Sequence, residues 1–297
     1  MASRKSALLN SISGSLFSVA QRLFLHADIA RVESRGERLG GLLFRLDSKR
    51  RNRTYSNLEL AFPEWSNQDR DRVAKGVFRH FGLVAADFFR TPLRSTQELL
   101  DNVEVQGMEN FDEAESMGKG ILALTGHMGN WERFGHWATS IGRHLSVVAR
   151  DANQSDVQNR VAKIREHTGI EVLSQGNSAR SILVKLRQKK IVALLPDQNA
   201  DEIFVPFFGR MAGTVLGPAV LHQRTGAPLL PSYCVRTGVG KYRVIVRPAI
   251  DLENTVHDLA VVTTQVNAAL ESVIREYPEQ WLWMHDRWKN ARVRGLL

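Results

Sequence analysis

Short apolar stretches alternate with longer stretches of helical periodicity between about residues 118 and 250. The apolar stretches are GILALTG, LSVVAR, IVALLPDQ, PLLPSYCVR and YRVIVRP, and the stretches between them include NWERFGHWATSIG, SDVQNRVAKIREHTG, NSARSILVKLRQKK and GPAVLHQRTG. Parallel strands need a long crossover connection, usually a helix, so this alternation is typical of a parallel sheet covered by helices. We therefore predict an α/β fold with a mostly parallel central sheet flanked by helices.

The regions on either side of this alternation differ from it. Residues 1–100 are predicted to form a mostly helical N-terminal segment, and residues 101–297 an α/β core. No composition shift or Pro/Gly/Ser-rich stretch separates two folding units, so we expect a single domain over residues 1–297. An amphipathic C-terminal helix is expected from about residue 253 to Tyr277, followed by the stretch PEQWLWMHDRWK.

Local signals mark several helix ends and one strand. Ser66 precedes the helical stretch NQDRDRVAKGVFRHFGLVAADFFR and is a good N-cap residue, while Gly169 and Gly226 stand where C-caps would fall. Cys234 is the single cysteine, which excludes an internal disulfide and fits a reducing cytoplasm. Because Cys234 lies in the apolar run PLLPSYCVR, we interpret it as a buried strand residue rather than a nucleophile.

The chain is basic, with 40 Lys and Arg residues against 31 Asp and Glu and a formal net charge of +9. This charge favours an anionic partner: a nucleic acid, a phosphorylated substrate, an acidic carrier protein or an anionic membrane. The basic residues are scattered rather than interleaved with aromatics, which disfavours nucleic acid. One cluster suits anionic lipid or an acidic carrier protein, with a simple solvated surface as the alternative: Arg45, Lys49, Arg50, Arg51 and Arg53.

A charge-free run covers residues 6–21 near the N-terminus. It is shorter than the roughly 18–20 apolar residues that span a bilayer, and no small-residue cleavage site of a signal peptide follows it. Its apolar residues recur at helical spacing: Leu9, Ile12, Leu16, Val19 and Leu23. This pattern predicts an amphipathic helix, either packed on its own domain or lying on anionic lipid.

Candidate site residues follow the ends of predicted strands. His127, Arg150 and Asp197 each stand at such an end, and the carboxyl ends of parallel strands gather at one edge of a sheet. The Arg150 guanidinium would bind a phosphate or a developing oxyanion, or else form an ordinary salt bridge. Asp197 would lie at the rim of the site or simply cap a turn.

His127 and Glu132 form a His-x4-Glu pair in the stretch ALTGHMGNWERFGHW. Asn130 is placed to cap the following helix, and backbone N–H groups near it would bind an anionic oxygen. If the loop folds back, the Glu132 carboxylate would accept the imidazole N–H and leave the other nitrogen free to take a proton near neutral pH. His136 lacks the spacing of zinc-protease ligands, so we interpret it as a packed helix residue and expect no metal.

Several blocks in order resemble the bacterial lipid A biosynthesis acyltransferases, the lauroyl/myristoyl transferase family of the glycerolipid acyltransferase-like group. The blocks are NLELAFPEW, GHMGNWE, AR with Asn153, LLPDQN, VPFFGRMAGTVLGPAVLHQRTGAPLLPSY and YPEQWLWMHDRWK. They cover roughly residues 45–290, and the closing block YPEQWLWMHDRWK is the most specific. Unlike many members of that family, this chain does not begin with a convincing membrane-spanning helix.

The resemblance implies transfer of a fatty acyl group from acyl carrier protein or acyl-CoA to a hydroxyl of a glycolipid, with no other cofactor. It implies that the His-x4-Glu pair is catalytic, with His127 as general base and Glu132 as orienting acid. The family's further positions match the substrate-binding candidates Arg150, Asn153, Asp197 and Gln198, to which Asn130 is added from its place at the helix start. The phenylalanines of FVPFFG would line the path of the acyl chain or pack in the core.

The expected location is the cytoplasmic side of the inner membrane, held peripherally by charge and interfacial contacts. The acceptor would be a lipid A precursor or another glycolipid such as a mannosylated phosphoinositide. The same pair of residues would also suit a thioesterase that activates water, and a non-enzymatic anion-binding protein is the remaining alternative.

Overall fold

The computed structural model describes residue 24 and residues 28–149, 156–174, 178–252 and 257–297. Its helices are α1 (Ile29–Leu46), α2 (Ser48–Ala61), α3 (Asn67–Arg90), α4 (Thr96–Asp101), α5 (Met108–Ser116), α6 (Trp131–Ser140), α7 (Asp156–His167), α8 (Ser178–Arg187), α9 (Gly217–Thr225), α10 (Leu259–Glu276) and α11 (Lys289–Val293). Its strands are β1 (Val103–Gln106), β2 (Ile121–Leu124), β3 (Leu145–Ala149), β4 (Glu171–Ser174), β5 (Ile191–Leu194), β6 (Ile203–Phe207), β7 (Arg210–Thr214), β8 (Leu229–Gly238) and β9 (Lys241–Val246). The calls on residues 6–21, Arg150 and Asn153 lie outside the described residues.

Seven strands form the main sheet in the order β1-β9-β8-β2-β5-β3-β4. Neighbours pair in parallel except β8 and β9, which form an antiparallel hairpin. β2 is therefore a central strand, with β8 on one side and β5 on the other. The predicted mostly parallel sheet with flanking helices is confirmed, and so are the N-terminal helices and the C-terminal helix.

The interior strands of the sheet are buried on both faces, as in a parallel sheet covered by helices. Alternate residues of β2 divide between two cores: Ile121 and Ala123 pack on the α6 side, whereas Leu122 and Leu124 pack on the side of α8, α9 and α10. All four side chains are at most 2% exposed. This continuous apolar run fixes β2 as an interior strand and places the chain that follows it at the middle of the sheet edge.

A third core joins the N-terminal helices to the C-terminal segment. Trp281, Trp283 and Trp288 are almost completely buried against residues of α2 and α3. The Asn57 side-chain amide on α2 donates to the backbone carbonyl oxygens of Trp283 (2.8 Å) and His285 (2.7 Å). The tryptophan-rich C-terminal segment is thus held against the N-terminal helices. It lies close to the edge of the sheet where β2 ends.

The predicted local signals are confirmed. The Ser66 hydroxyl accepts the Asp69 N–H (3.1 Å) at the start of α3, and Gly169 and Gly226 adopt left-handed backbone at helix ends. Cys234 is fully buried on β8. Among the described residues, no helix has the length and apolar character needed to cross a bilayer.

The sequence did not predict β1, β4 or the β6–β7 hairpin. β1 is a short edge strand whose residues are mostly exposed, so it lacks the apolar run of the interior strands. The hairpin turns through Phe208 and Gly209, both at positive φ, which matches a two-residue type I′ turn. A bulky residue in the first position of such a turn is uncommon, so the sequence VPFFGRM does not signal it.

Helices α1 and α3 approach each other through glycines. A Cβ atom built on Gly40 would lie 2.1 Å from the Phe78 carbonyl oxygen, and one built on Gly82 would lie 2.1 Å from the Gly36 carbonyl oxygen. No L side chain fits such distances without moving a backbone. The small residues therefore set the separation of the two helices.

We predict that Gly40→Ala destabilises the protein by about 1–3 kcal/mol, because the added methyl group forces the two helix backbones apart. The control is Gly41→Ala in the same helix, where a Cβ atom meets nothing within 4 Å. Since Ala is a better helix former than Gly by about 1 kcal/mol, this variant should be slightly more stable than the wild type. Denaturant unfolding of both variants measures the difference, and equal stability would contradict the close contact.

Candidate active site

The chain that follows β2 is tied down at several backbone atoms. The Gly129 N–H donates to the Gln280 carbonyl (2.8 Å), and the Asn130 N–H donates to the Cys234 carbonyl (2.6 Å). The His80 Nε2 lies 3.0 Å from the Gly129 carbonyl oxygen. Gly129 has φ +58°, and a Cβ atom there would lie 2.0 Å from the Cys234 oxygen. The loop that carries His127 is therefore held between α3, β8 and the C-terminal segment.

Asp197 is the hydrogen-bond partner of His127. Its Oδ1 lies 3.0 Å from the His127 Nδ1, and its Oδ2 accepts the His127 backbone N–H at 2.8 Å. The indole Nε1 of Trp281 donates to the same Oδ2 at 3.0 Å. Because a carboxylate only accepts, the ring proton of the neutral imidazole lies on Nδ1 and leaves Nε2 as the basic nitrogen.

The buried pair of charges shifts both pKa values. Burial alone lowers the pKa of His127, but the charge of Asp197 and its hydrogen bond outweigh burial, so that the net pKa is raised above its ordinary value. For Asp197, burial raises the pKa, yet the charge and hydrogen bonds of His127 outweigh it and hold the pKa at about 2. Asp197 is therefore ionised at neutral pH and stabilises a proton on the imidazole.

Glu132 does not contact the imidazole as the sequence led us to expect. Its carboxylate accepts from the Arg165 Nε at 3.0 Å and from the Trp131 indole Nε1 at 3.1 Å. The first turn of α6 directs Glu132 toward α7, where Arg165 compensates its charge, and Asp197 already occupies Nδ1 of His127. Glu132 stays close enough for its charge to raise the His127 pKa further. The expected hydrogen bond between Glu132 and His127 is corrected to one between Asp197 and His127.

Asn130 is bonded within the fold. Its side-chain oxygen caps α6 by accepting the Arg133 N–H (3.0 Å), as predicted, and its amide donates to Asp87 (2.8 Å). The side chain is 1% exposed, and the backbone N–H is already bonded to Cys234. The side chain and backbone N–H of Asn130 are thus engaged within the protein, and its role in substrate binding stays a prediction.

A buried ion cluster lies behind this loop, and the sequence did not indicate it. Arg94 and Arg133 both donate to the Asp87 carboxylate, at 2.6 and 2.9 Å. Burial raises the pKa of Asp87, but the two guanidinium groups outweigh burial and hold it far below the usual range. The Arg133 guanidinium also stacks over the Tyr242 ring at 4.1 Å. This cluster fixes α6 against α3 and β9.

The other candidates divide between the rim and the core. Gln198 is exposed and lines the cavity beside His127, whereas the Asp197 carboxylate is used by His127 and Trp281 and is not free for a substrate. His136 is buried on α6, as expected of a packed helix residue. Phe207 and Phe208 of FVPFFG are buried in the tryptophan-rich core, so core packing is the correct alternative for them.

A cavity of about 630 Å³ opens beside His127, within the usual size range of ligand pockets. Its polar side chains are few, and they include His127, Glu132, Arg165, Gln198 and Glu202. The rest of the lining is largely apolar, with contributions from Phe134, Leu145, Val147, Val148, Ile170, Ile182, Leu194, Val215, Pro218 and Leu221. A basic nitrogen beside a cavity lined by many apolar side chains is suited to proton transfer on a substrate that carries a hydrocarbon chain.

Comparison with known proteins finds similar acyltransferases. The chain is 26% identical over 80% of its length to a lipid A biosynthesis acyltransferase of Haemophilus influenzae, covering 74% of that protein. It is 29% identical over 70% of its length to a phosphatidylinositol mannoside acyltransferase of Mycobacterium tuberculosis, covering 67% of that protein. It is 24% identical over 87% of its length to the lipid A biosynthesis palmitoleoyltransferase of Escherichia coli, covering 85% of that protein.

Two of these relatives are named for lipid A biosynthesis and one for phosphatidylinositol mannoside, and all three names describe an acyltransferase. Residues 22–290 match the family described as bacterial lipid A biosynthesis acyltransferase, which is most of the chain. That range includes the helices of the N-terminal segment, the whole sheet and the tryptophan-rich C-terminal segment. The chain is therefore an acyltransferase that belongs to the bacterial lipid A biosynthesis acyltransferase family.

Proposed function

We propose that this acyltransferase moves a fatty acyl group from the thioester of acyl carrier protein or coenzyme A to a hydroxyl of a glycolipid. The observation that carries the proposal is the position of His127. Its Nδ1 is bonded to a buried carboxylate, and the residue lines a cavity to which many apolar side chains contribute. The fatty chain fills apolar space while the reacting carbonyl stays near the imidazole.

The reaction needs one base and no covalent enzyme intermediate. The His127 Nε2 removes the proton of the acceptor hydroxyl as the oxygen attacks the thioester carbonyl carbon. The tetrahedral intermediate then expels the thiolate, which takes the proton from the imidazolium, and an ester and a free thiol are released. A thioester is already activated, so Cys234, whose pKa burial raises to about 12, is not required.

Asp197 rather than Glu132 is the group that orients the imidazole in this proposal. It bonds Nδ1 directly, and its own position is fixed by Trp281 and by the His127 backbone. Glu132 acts at one remove: it anchors Arg165 and the Trp131 indole, whose ring lies against the His127 ring at 5.0 Å between centroids. Asp197 thus positions the imidazole by a direct hydrogen bond, whereas Glu132 positions it through the Trp131 ring.

We propose that one part of the cavity, which we call the deep limb, binds the fatty chain of the donor. Its lining residues lie on α6, at the start of β3 and just before β4: Phe134, Gly135, Leu145 and Ile170. Gly135 packs against Ile170 and Leu145 there: a Cβ atom on Gly135 would lie 2.7 Å from Ile170 Cδ1 and 3.7 Å from Leu145 Cδ2. We propose that these three residues form the floor of the deep limb and limit the length of chain that fits.

The surface suits a substrate held in a membrane. At the end of α1, Leu42, Leu43 and Leu46 are 50%, 46% and 71% exposed, and the basic cluster that begins at Arg45 lies in the same segment. Exposed leucines beside lysines and arginines favour contact with an anionic bilayer. We propose peripheral attachment to the cytoplasmic side of the inner membrane, with a lipid A precursor or a phosphatidylinositol mannoside as acceptor.

The His127→Ala variant should lose acyl transfer by about two to four orders of magnitude, because no second histidine stands among the described residues that line the cavity. The assay follows formation of the ester product from an acyl thioester and a glycolipid acceptor. Thermal unfolding serves as the folding control. Unchanged turnover would remove His127 from the mechanism, and fatty acid release that does not depend on acceptor would indicate a thioesterase.

The pH dependence of kcat/KM should distinguish the role of Asp197 from that of Glu132. Because the base must be unprotonated, kcat/KM should rise with pH through an inflection above the ordinary histidine value of about 6.5. In Asp197→Asn the negative charge is lost, so the inflection should move to lower pH and kcat should fall sharply. In Glu132→Gln the inflection should move in the same direction but less. A larger shift in Glu132→Gln than in Asp197→Asn would contradict the assignment.

Shortening a side chain at the floor of the deep limb should change the length of acyl chain that the enzyme prefers. Ile170→Ala lengthens the deep limb, so the variant should accept acyl donors longer by one or more methylenes than the wild type prefers, each buried methylene contributing about 0.8 kcal/mol. Competition among donors of graded length measures the preference. Val184→Ala on the exposed side of α8 is the control, since Val184 is 40% exposed and does not line the cavity. An identical length profile in both variants would place the floor elsewhere.

A further inference from the structure

The cavity beside His127 reaches both faces of the sheet. Val147 and Val148 are neighbours on β3 and therefore project to opposite faces, yet both line the cavity. Val147 belongs to the core on the α6 side, and Val148 belongs to the core on the α8 and α9 side. The same division holds on β5, where Ala193 and Leu194 both line the cavity from different cores. The edge of the sheet thus divides the cavity into two limbs.

The second limb lies between the sheet and helices α8 and α9, opposite the deep limb. Its apolar lining consists of Val148, Ile182, Leu194, Val215, Pro218 and Leu221. Ile182 and Leu221 are 5% and 7% exposed, so they offer a lining that water barely reaches. An apolar limb of this kind binds hydrocarbon more favourably than it binds water or a sugar.

A polar rim separates this limb from the solvent. Gln198 is exposed at the opening, and Glu202 lines it while accepting the Leu216 N–H at 2.7 Å. These groups suit the hydroxyls of a sugar more than a hydrocarbon. The order from outside to inside is therefore polar, then apolar, which matches an amphiphile with its head group near His127.

A straight fatty chain in one limb does not extend into the other, because strands β3 and β5 stand between the residues that line the two limbs. We propose that the second limb binds a hydrocarbon chain of the acceptor lipid while the deep limb holds the chain of the donor. This inference rests on the proposed acyl transfer and names the part of the acceptor that the enzyme recognises. The acceptor hydroxyl then approaches His127 from the α9 side and the thioester from the α6 side.

Gly217, at the start of α9, gives access to a direct test. It lines the cavity, and a Cβ atom on it would meet nothing within 4 Å. A phenylalanine at this position would extend into open space in the second limb without touching His127 or the floor of the deep limb. Because Gly217 precedes Pro218, which restricts the backbone of larger residues, Val215→Phe in the half-buried loop before α9 is a second variant with the same aim.

The test is a binding measurement that needs no turnover. The protein is first saturated with a thioether analogue of an acyl-pantetheine, which cannot transfer its chain and fills the deep limb. Isothermal calorimetry then follows the binding of n-octyl, n-nonyl and n-decyl glucosides below their micelle concentrations. We expect saturable binding that tightens up to about fourfold for each added methylene. Gly217→Phe and Val215→Phe should weaken binding of the longest glucoside at least tenfold, whereas Ile170→Ala should leave it unchanged.

The outcomes distinguish this inference from the proposed function. Glucosides that fail to bind, that are displaced by the thioether analogue, or that bind both phenylalanine variants as tightly as the wild type would overturn the second limb as the acceptor site. Thermal unfolding of the variants shows that they are folded. If acyl thioesters give no ester with any glycolipid, the proposed function fails instead, and the glucoside measurement still reports whether the limb takes a hydrocarbon chain.

Discussion

The contact between Asp197 and His127 is the interaction on which the rest of the site depends. A buried carboxylate is costly unless hydrogen bonds and an opposite charge compensate it. Here three N–H groups do so: the backbone and ring of His127 and the indole of Trp281. Two distant parts of the chain, the loop after β2 and the C-terminal segment, are therefore bonded to one side chain on the loop after β5. Loss of that carboxylate would remove the bonds that join His127 and Trp281 through one group, while the backbone bonds of Gly129 and Asn130 would remain.

The pairing of β2 with β5 explains why these residues meet. In the parallel register Leu124 lies opposite Leu194, and His127 and Asp197 each come three residues later. The two side chains thus leave the sheet at the same height on neighbouring strands. The sequence indicated that both residues follow strands, but it did not indicate that β5, rather than β3, lies next to β2. Since the strand order is a tertiary property, the nearer acid in the sequence, Glu132, was the natural expectation and was not the partner observed.

What the sequence did predict was local. The caps at Ser66 and Asn130 depend on residues three positions apart, and the strands beside His127 are runs of apolar residues that need both faces covered. The partners of Glu132 and Asp87 could not be predicted in this way, because Arg165 and Arg133 lie 33 and 46 residues away along the chain. Trp281 stood in the block of sequence that resembled the family most closely, and its bond to Asp197 gives a physical reason for a tryptophan at that position.

The burial of Cys234 has a practical consequence. It is the single thiol of the chain, it is fully buried on β8, and its raised pKa keeps it protonated at neutral pH. A thiol reagent can modify only the thiolate of an accessible cysteine. The speed of alkylation therefore reports how often the central sheet opens. Cys234 can therefore serve as a natural probe of conformational fluctuation. Its backbone pairs with Gly129 in the loop that carries His127.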